Sequence, residues 1–180
     1  MDFYEKQLSS KNIFKGKVIN LCVDEIELPN GHHSTREYLD HRGAVAVIAV
    51  TDDNKIVMVE QHRYALHQNV LEIPAGKLEK DENKLKAAKR ELSEETGIEA
   101  KSWKALGYIH PAIGYSNEAI YLYIATGLIF KESHPDEDEF VATKLIPIKK
   151  LYSMAKSGKL TDAKTLSALL RYKLLTDEAK

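Results

Sequence analysis

Residues 76–98 read Gly76-Lys77-Leu78-Glu79-Lys80-Asp81-Glu82-Asn83-Lys84-Leu85-Lys86-Ala87-Ala88-Lys89-Arg90-Glu91-Leu92-Ser93-Glu94-Glu95-Thr96-Gly97-Ile98. Leu85, Ala88 and Leu92 recur at i, i+3 and i+7, which predicts a helix from Asn83 to Glu95, with Gly97 able to take the left-handed cap. On a wheel of about 100° per residue with Glu91 at zero, Glu95 falls near +40° and Glu94 near −60°. Three carboxylates therefore share one face, while Ala88, Leu92 and Leu85 form a neighbouring stripe that docks the helix on a sheet. Carboxylates at this spacing repel one another by a few tenths of a kcal/mol per exposed pair. They also crowd the C-terminal end, where the helix dipole disfavours anions. Local stability opposes the cluster twice. A divalent cation would offset both terms, since Mg²⁺ takes a few carboxylate oxygens and completes its shell with water and phosphate. A solvated acidic patch beside Lys84, Lys86, Lys89 and Arg90 is the other reading, and spacing alone leaves both standing.

Outward from this helix the pattern is that of strands. Ala44-Val45-Ala46-Val47-Ile48-Ala49-Val50 is continuously apolar, as in a strand buried on both faces. Lys55–Glu60 follows a turn at residues 51–54, and Trp103–Ile109, Ala119–Ala125 and Val141–Ile146 are further strands. A short helix over about 149–156 and a stop at Gly158 precede a last helix from Asp162, with Leu166, Leu169, Leu170 and Leu174 on its apolar stripe. This order predicts an α/β fold with a mixed sheet sandwiched between helices. Before it, Val18–Leu28, the turn signal Pro29-Asn30-Gly31 and Thr35–Leu39 predict a hairpin in a small antiparallel meander. The division expected is an N-terminal β subdomain over residues 1–41 and a main domain over 42–180. A two- or three-stranded meander alone is marginal in water, so it must lie on the main domain or on a partner chain.

Composition narrows the class. The chain has 180 residues, 43% hydrophobic and 29% charged, with 26 Lys+Arg against 27 Asp+Glu. A formal charge of −1 supplies no global field for nucleic acid. The single cysteine, Cys22, forms neither an internal disulfide nor a zinc ribbon. The N-terminus lacks a signal-peptide pattern and apolar runs are too short to span a bilayer, so the expectation is a cytoplasmic protein without membrane partners.

Gly76, five residues, Glu82, seven residues, then Arg90-Glu91-Leu92-Ser93-Glu94-Glu95-Thr96-Gly97-Ile98 resembles the Nudix box of the Nudix hydrolase superfamily, with every defining position filled. The flanks Leu71–Glu79 and His110–Glu118 are similar to the ADP-ribose pyrophosphatase branch, although Ala112-Ile113-Gly114 stands where that branch usually reads Ser-Pro-Gly. The resemblance implies an α/β/α sandwich that binds Mg²⁺, or Mn²⁺ as a substitute, and cleaves a nucleoside diphosphate linked to another moiety. It places Glu91 and Glu95 as the main metal ligands, with Glu94 sharing a metal or orienting role and the Ala75 carbonyl as a further ligand. Arg90 would hold the carboxylates, Glu82 would support the loop, and Gly76 and Gly97 would serve backbone geometry.

Other positions follow from the same resemblance. A glutamate of the acidic loop Pro135–Phe140, Glu139 first and Glu137 second, is expected to act as general base. Arg63 would bind phosphate, Arg36 and Glu37 the adenine and ribose end, Pro111 the terminal ribose, and Glu118 would orient its loop. The expected reaction converts ADP-ribose or a related ADP-sugar to AMP and ribose 5-phosphate, by a homodimer acting on a small nucleotide sugar. The rival substrate is another nucleoside diphosphate sugar such as GDP-mannose, and the rival of another class is a non-catalytic ligand-sensing Nudix module. The seven histidines form no helical ligand pair, and neither a nucleophile elbow nor a P-loop is present.

Overall fold

A computed structural model describes residues 3–131 and 140–177. The chain divides into two compact units, residues 1–43 with 110–119 and residues 44–109 with 120–180. The first is built on three antiparallel strands, β1 (Lys6–Lys15), β2 (Asn20–Glu27) and β3 (His33–Leu39), in sequential order. β2 alternates as a half-covered strand should: Cys22, Asp24 and Ile26 are buried. Gly31, at φ +81°, makes the turn into β3, which few residues with a Cβ adopt. Every residue of β1 is exposed, including Leu8, Ile13 and Phe14. The segment 110–119 joins this unit through backbone bonds: Leu39 N–H donates to the Tyr115 carbonyl at 2.8 Å and Asn117 N–H to that of Leu39 at 3.3 Å.

The second unit is the expected sandwich. Its strands are β4 (Ala44–Ala49), β5 (Lys55–Arg63), β6 (Gln68–Glu72), β7 (Ala75–Lys77), β8 (Ile98–Ile109), β9 (Ile120–Phe130) and β10 (Val141–Pro147). Three helices accompany them: α1 (Lys84–Thr96), α2 (Ile148–Lys156) and α3 (Ala163–Asp177). The strands form two sheets, ordered β7-β4-β9-β8 and β10-β5-β6. β4 runs parallel to β9 and antiparallel to β7, so the larger sheet is mixed. All six residues of β4 are buried, because helices cover both of its faces. Val45, Val47 and Ala49 pack with Ala87, Ala88 and Leu92 of α1. Ala46 and Ile48 face the other way, toward Leu151 of α2 and Ala168 and Leu169 of α3.

Helix α1 sits where its sequence places it. Asn83 caps it, its side chain accepting the N–H groups of Leu85 and Lys86 at 3.0 and 3.1 Å. Gly97 ends it at φ +66° and donates to the Ser93 carbonyl at 2.8 Å. Leu92 is fully buried; truncation of such a side chain to Ala costs about 2–5 kcal/mol. Helix α3 departs from the expectation. Lys164, Thr165, Ala168 and Leu169 form its buried face, while Leu170 and Leu174 are more than half exposed. Of the expected leucine stripe, Leu169 is buried and Leu166 packs against the same core, so half of it faces inward. The inward face also carries a lysine and a threonine, for a reason that becomes clear at the site. Among the described residues no helix is long and apolar enough to cross a membrane.

Candidate active site

The chemistry collects around the loop β7–α1 and the inner end of α1. Arg90 is its hub. Nε and Nη2 grip Glu82 at 3.0 and 2.9 Å, and Nη2 also reaches the Lys77 carbonyl at 3.3 Å. Nη1 donates to Glu91 and Glu94, each at 2.9 Å. One guanidinium thus fixes three carboxylates, as charge-assisted bonds at close range can. Glu82 also accepts the Glu79 N–H at 3.1 Å, which closes the loop. Its hydrogen bonds from Arg90 hold the Glu82 carboxyl down from 4.5 to about 2, and the same contacts raise the Arg90 guanidinium above its ordinary value.

Gly76 is required by close approach. A Cβ there would stand 2.0–2.1 Å from the carboxylate atoms of Glu91, so any other residue would displace that carboxylate from its place. Glu95 is nearly buried and accepts the Ala75 N–H at 3.0 Å. Two strongly hydrophilic anions are therefore held against the backbone of residues 75 and 76, in a place where unpaired charge is costly. The donor set is oxygen throughout: three glutamates, 82, 91 and 94, share Arg90, and Glu95 adds a fourth carboxylate. That excess of anionic oxygen suits a hard divalent cation. Among the described residues no three His, Cys, Asp or Glu side chains converge as a ready ligand cluster.

Arg63, at the end of β5, belongs to a second polar group. Its Nε and Nη2 donate to Glu72 Oε1 and Oε2, both at 2.6 Å. Glu72 is only 2% exposed and also accepts from the Lys164 ammonium on α3. Lys164 bonds Asp162 as well, at 3.1 Å. Asp162 caps α3 by accepting the Thr165 N–H at 3.0 Å and its hydroxyl at 2.6 Å, and the same hydroxyl accepts the Ile73 N–H at 2.9 Å. Burial pushes the Glu72 carboxyl up, but Arg63 and Lys164 outweigh it and the net shift is downward. The Glu72 hydrogen bonds raise the Arg63 guanidinium, with Glu95 adding to the effect from within electrostatic range. This network escaped the sequence reading. Its only trace there is a lysine and a threonine beside the apolar stripe of the last helix.

The other expected site residues lie in the first unit or beyond the described residues. Arg36 pairs with Glu5, its Nε donating at 2.8 Å, and the same contact raises its guanidinium. Glu37 is exposed and stands opposite Val23. Pro111 is exposed at the start of its loop. Glu118 secures that loop: its carbonyl lies 2.9 Å from His110 Nδ1, its N–H donates to Ser116 Oγ at 3.1 Å, and its carboxylate lies 3.7 Å from His41 Nδ1. Glu137 and Glu139 fall outside the described residues.

Comparison with known proteins gives the family. Residues 40–169 match the NUDIX domain family, and residues 5–39 match the nucleoside diphosphate sugar hydrolase N-terminal domain. The chain belongs to the Nudix family and is a Nudix hydrolase, an enzyme class that works with a divalent metal. It is 46% identical over 169 residues to the methanol dehydrogenase activator of Bacillus methanolicus, covering 93% of this chain and 91% of that one. It is 43% identical over 167 residues to the ADP-ribose pyrophosphatase of Bacillus subtilis (strain 168), covering 92% and 90%. A crystal structure of an ADP compounds hydrolase superposes with a TM-score of 0.84 over 97% of this chain and 95% of that one; at 19% identity it shares the fold.

Proposed function

We propose that this chain hydrolyses the pyrophosphate bond of ADP-ribose, adding one water to give AMP and ribose 5-phosphate. The observation that carries the reading is the Arg90-organised carboxylate face, with Glu91 against Gly76 and Glu95 on the Ala75 N–H. The 43% identity to an ADP-ribose pyrophosphatase across nearly the whole chain supports this substrate over GDP-mannose, whose named pyrophosphatases are 27–28% identical.

Glu91 and Glu95, with Glu94 and the Ala75 carbonyl, are the residues to hold Mg²⁺, or Mn²⁺ in its place. When bound, the cation neutralises phosphate charge and lowers the pKa of a coordinated water. Arg90 keeps Glu91 and Glu94 fixed between turnovers, and Arg63 offers its remaining donors to a phosphate oxygen. Glu139 or Glu137 takes the proton from the attacking water. Arg36, Glu37, Pro111 and Glu118 serve the adenosine and terminal ribose. The enzyme works in the cytoplasm as a homodimer, a state favoured by the apolar residues exposed on and beside β1, Leu8, Ile13, Phe14, Val18 and Ile19. Light scattering checks that point: a monomer at micromolar concentration with full activity refutes it.

The deciding assay offers ADP-ribose, ADP, GDP-mannose, FAD and dGTP to the purified chain with Mg²⁺. The expected result is AMP and ribose 5-phosphate from ADP-ribose at the highest kcat/KM. Equal kcat/KM for ADP or dGTP overturns the substrate. A second reading comes from the 46% identity to a methanol dehydrogenase activator: the chain stimulates a dehydrogenase. Its check is whether adding the chain raises methanol dehydrogenase turnover.

A further inference from the structure

We infer that Lys164 on α3 is a positioning residue for phosphate binding, setting through the buried carboxylate of Glu72 the orientation of Arg63 and the share of its charge left for the substrate. The inference rests on the pyrophosphate reading above. Four side chains make up the device: Arg63 and Lys164, Glu72 and Asp162, two of each sign. Glu72 is held by Arg63 from one side and Lys164 from the other. A carboxylate at this depth must be compensated. With two cations sharing it, Arg63 satisfies Glu72 through one edge only, Nε and Nη2, and its side chain remains 42% exposed.

Without Lys164 the whole Glu72 charge falls on Arg63, whose guanidinium then becomes a weaker anion ligand. Lys164 is held in place by Asp162, whose other oxygen caps α3 and binds Thr165. Thr165 in turn ties the backbone at Ile73, two residues before Ala75. The polar inward face of α3 is thus explained: it carries the counter-charge for Glu72 and an anchor for the strand end leading to the carboxylate site. Lys164 is itself 9% exposed, so it acts through Glu72 and Arg63.

The test uses the full chain. Binding of inorganic pyrophosphate is measured by calorimetry with Mg²⁺ in the wild type, Lys164→Met, Arg63→Ala and the double variant, beside KM and kcat for ADP-ribose. Lys164→Met is expected to weaken pyrophosphate binding and raise KM by roughly tenfold, the scale of a coupled charged neighbour, with kcat within about twofold. In the Arg63→Ala background it should add nothing, because the effect runs through Arg63. Lys164→Arg, which keeps the positive charge, should recover most of the affinity. Wild-type affinity in a folded Lys164→Met variant overturns the inference, as does a loss that is equal with and without Arg63. If Lys164→Met does not fold, the Lys164→Met/Glu72→Gln pair is compared with Glu72→Gln alone: because the effect runs through the Glu72 carboxylate, equal pyrophosphate affinity in the two upholds the inference and a further loss in the pair defeats it. A wild type that binds pyrophosphate but leaves ADP-ribose intact refutes the substrate alone, and the calorimetry still judges Lys164.

Discussion

Two arginines each hold a carboxylate with paired bonds, in settings of opposite kind. Arg90 reaches Glu82, Glu91 and Glu94, all within eight residues of itself and partly open to water. Arg63 reaches one buried glutamate whose second cation comes from 92 residues further along the chain. The first group is a local device, written into one helix and the loop before it. The second is tertiary and exists only once α3 docks. The difference bears on function. On the proposed function, the Arg90 group fixes the anions that would hold the metal. The Arg63 group neutralises a buried carboxylate and leaves Arg63 as its most exposed member.

The comparison is broken most sharply at the metal-facing anions. Glu95→Gln keeps an acceptor for the Ala75 N–H but removes a charge, so kcat should fall at least about 10²-fold, the scale of losing one preorganised electrostatic partner. Folding stability without metal should stay level or rise slightly, since the variant relieves repulsion with Glu91 and the burial of a charge. Near-normal kcat at saturating Mg²⁺ would place the metal site elsewhere. Gly76→Ala comes next. Its Cβ would stand 2.0–2.1 Å from the Glu91 carboxylate, so Glu91 or the β7 backbone must move. The expected cost is about 1–3 kcal/mol in stability, the range for overpacking, with kcat falling alongside. Urea unfolding and steady-state kinetics on the same preparation check both; a neutral Ala would mean that Glu91 has other places to go.

These two variants touch what was legible in the sequence, and the reason is distance along the chain. The carboxylate face of α1, the Gly97 cap and the buried β4 all follow from patterns a few residues long, and each stands where the pattern put it. The identity of residues 76–98 came through family resemblance, which the same short spacing carries. What was missed required partners distant in sequence. Of the α3 stripe, Leu166 and Leu169 pack but Leu170 and Leu174 are exposed, because periodicity ranks apolar residues and cannot register that Lys164 and Thr165 are wanted inside by Glu72 and Ile73. Arg36 illustrates the same limit: its partner is Glu5, on a segment 31 residues earlier that carried no signal of its own.

The smallest expected effect separates the two arginine groups by acid. Glu82 sits at about 2 in the folded chain against an ordinary 4.5, because it accepts from Arg90. A carboxylate lowered on folding contributes stability that is fully present above its unfolded value and is lost as pH falls through the folded one. The window for Glu82 is therefore from about 4.5 down to about 2. Glu72 is also lowered, so acid weakens both groups and a wild-type titration alone would merge them. Glu82→Gln removes the proton-binding difference from the Arg90 group and leaves the Arg63 group intact. Folding free energy measured by urea at pH 6, 4 and 3, at constant ionic strength, should fall less steeply in Glu82→Gln than in the wild type, with the two curves closest at pH 3. The sign is fixed by the lowered value, since the wild type releases a proton on folding in this range and the glutamine cannot. Parallel curves would mean that Arg90 spends its bonds on Glu91 and Glu94 and leaves Glu82 to water. The acid sensitivity would then belong to the buried group around Glu72.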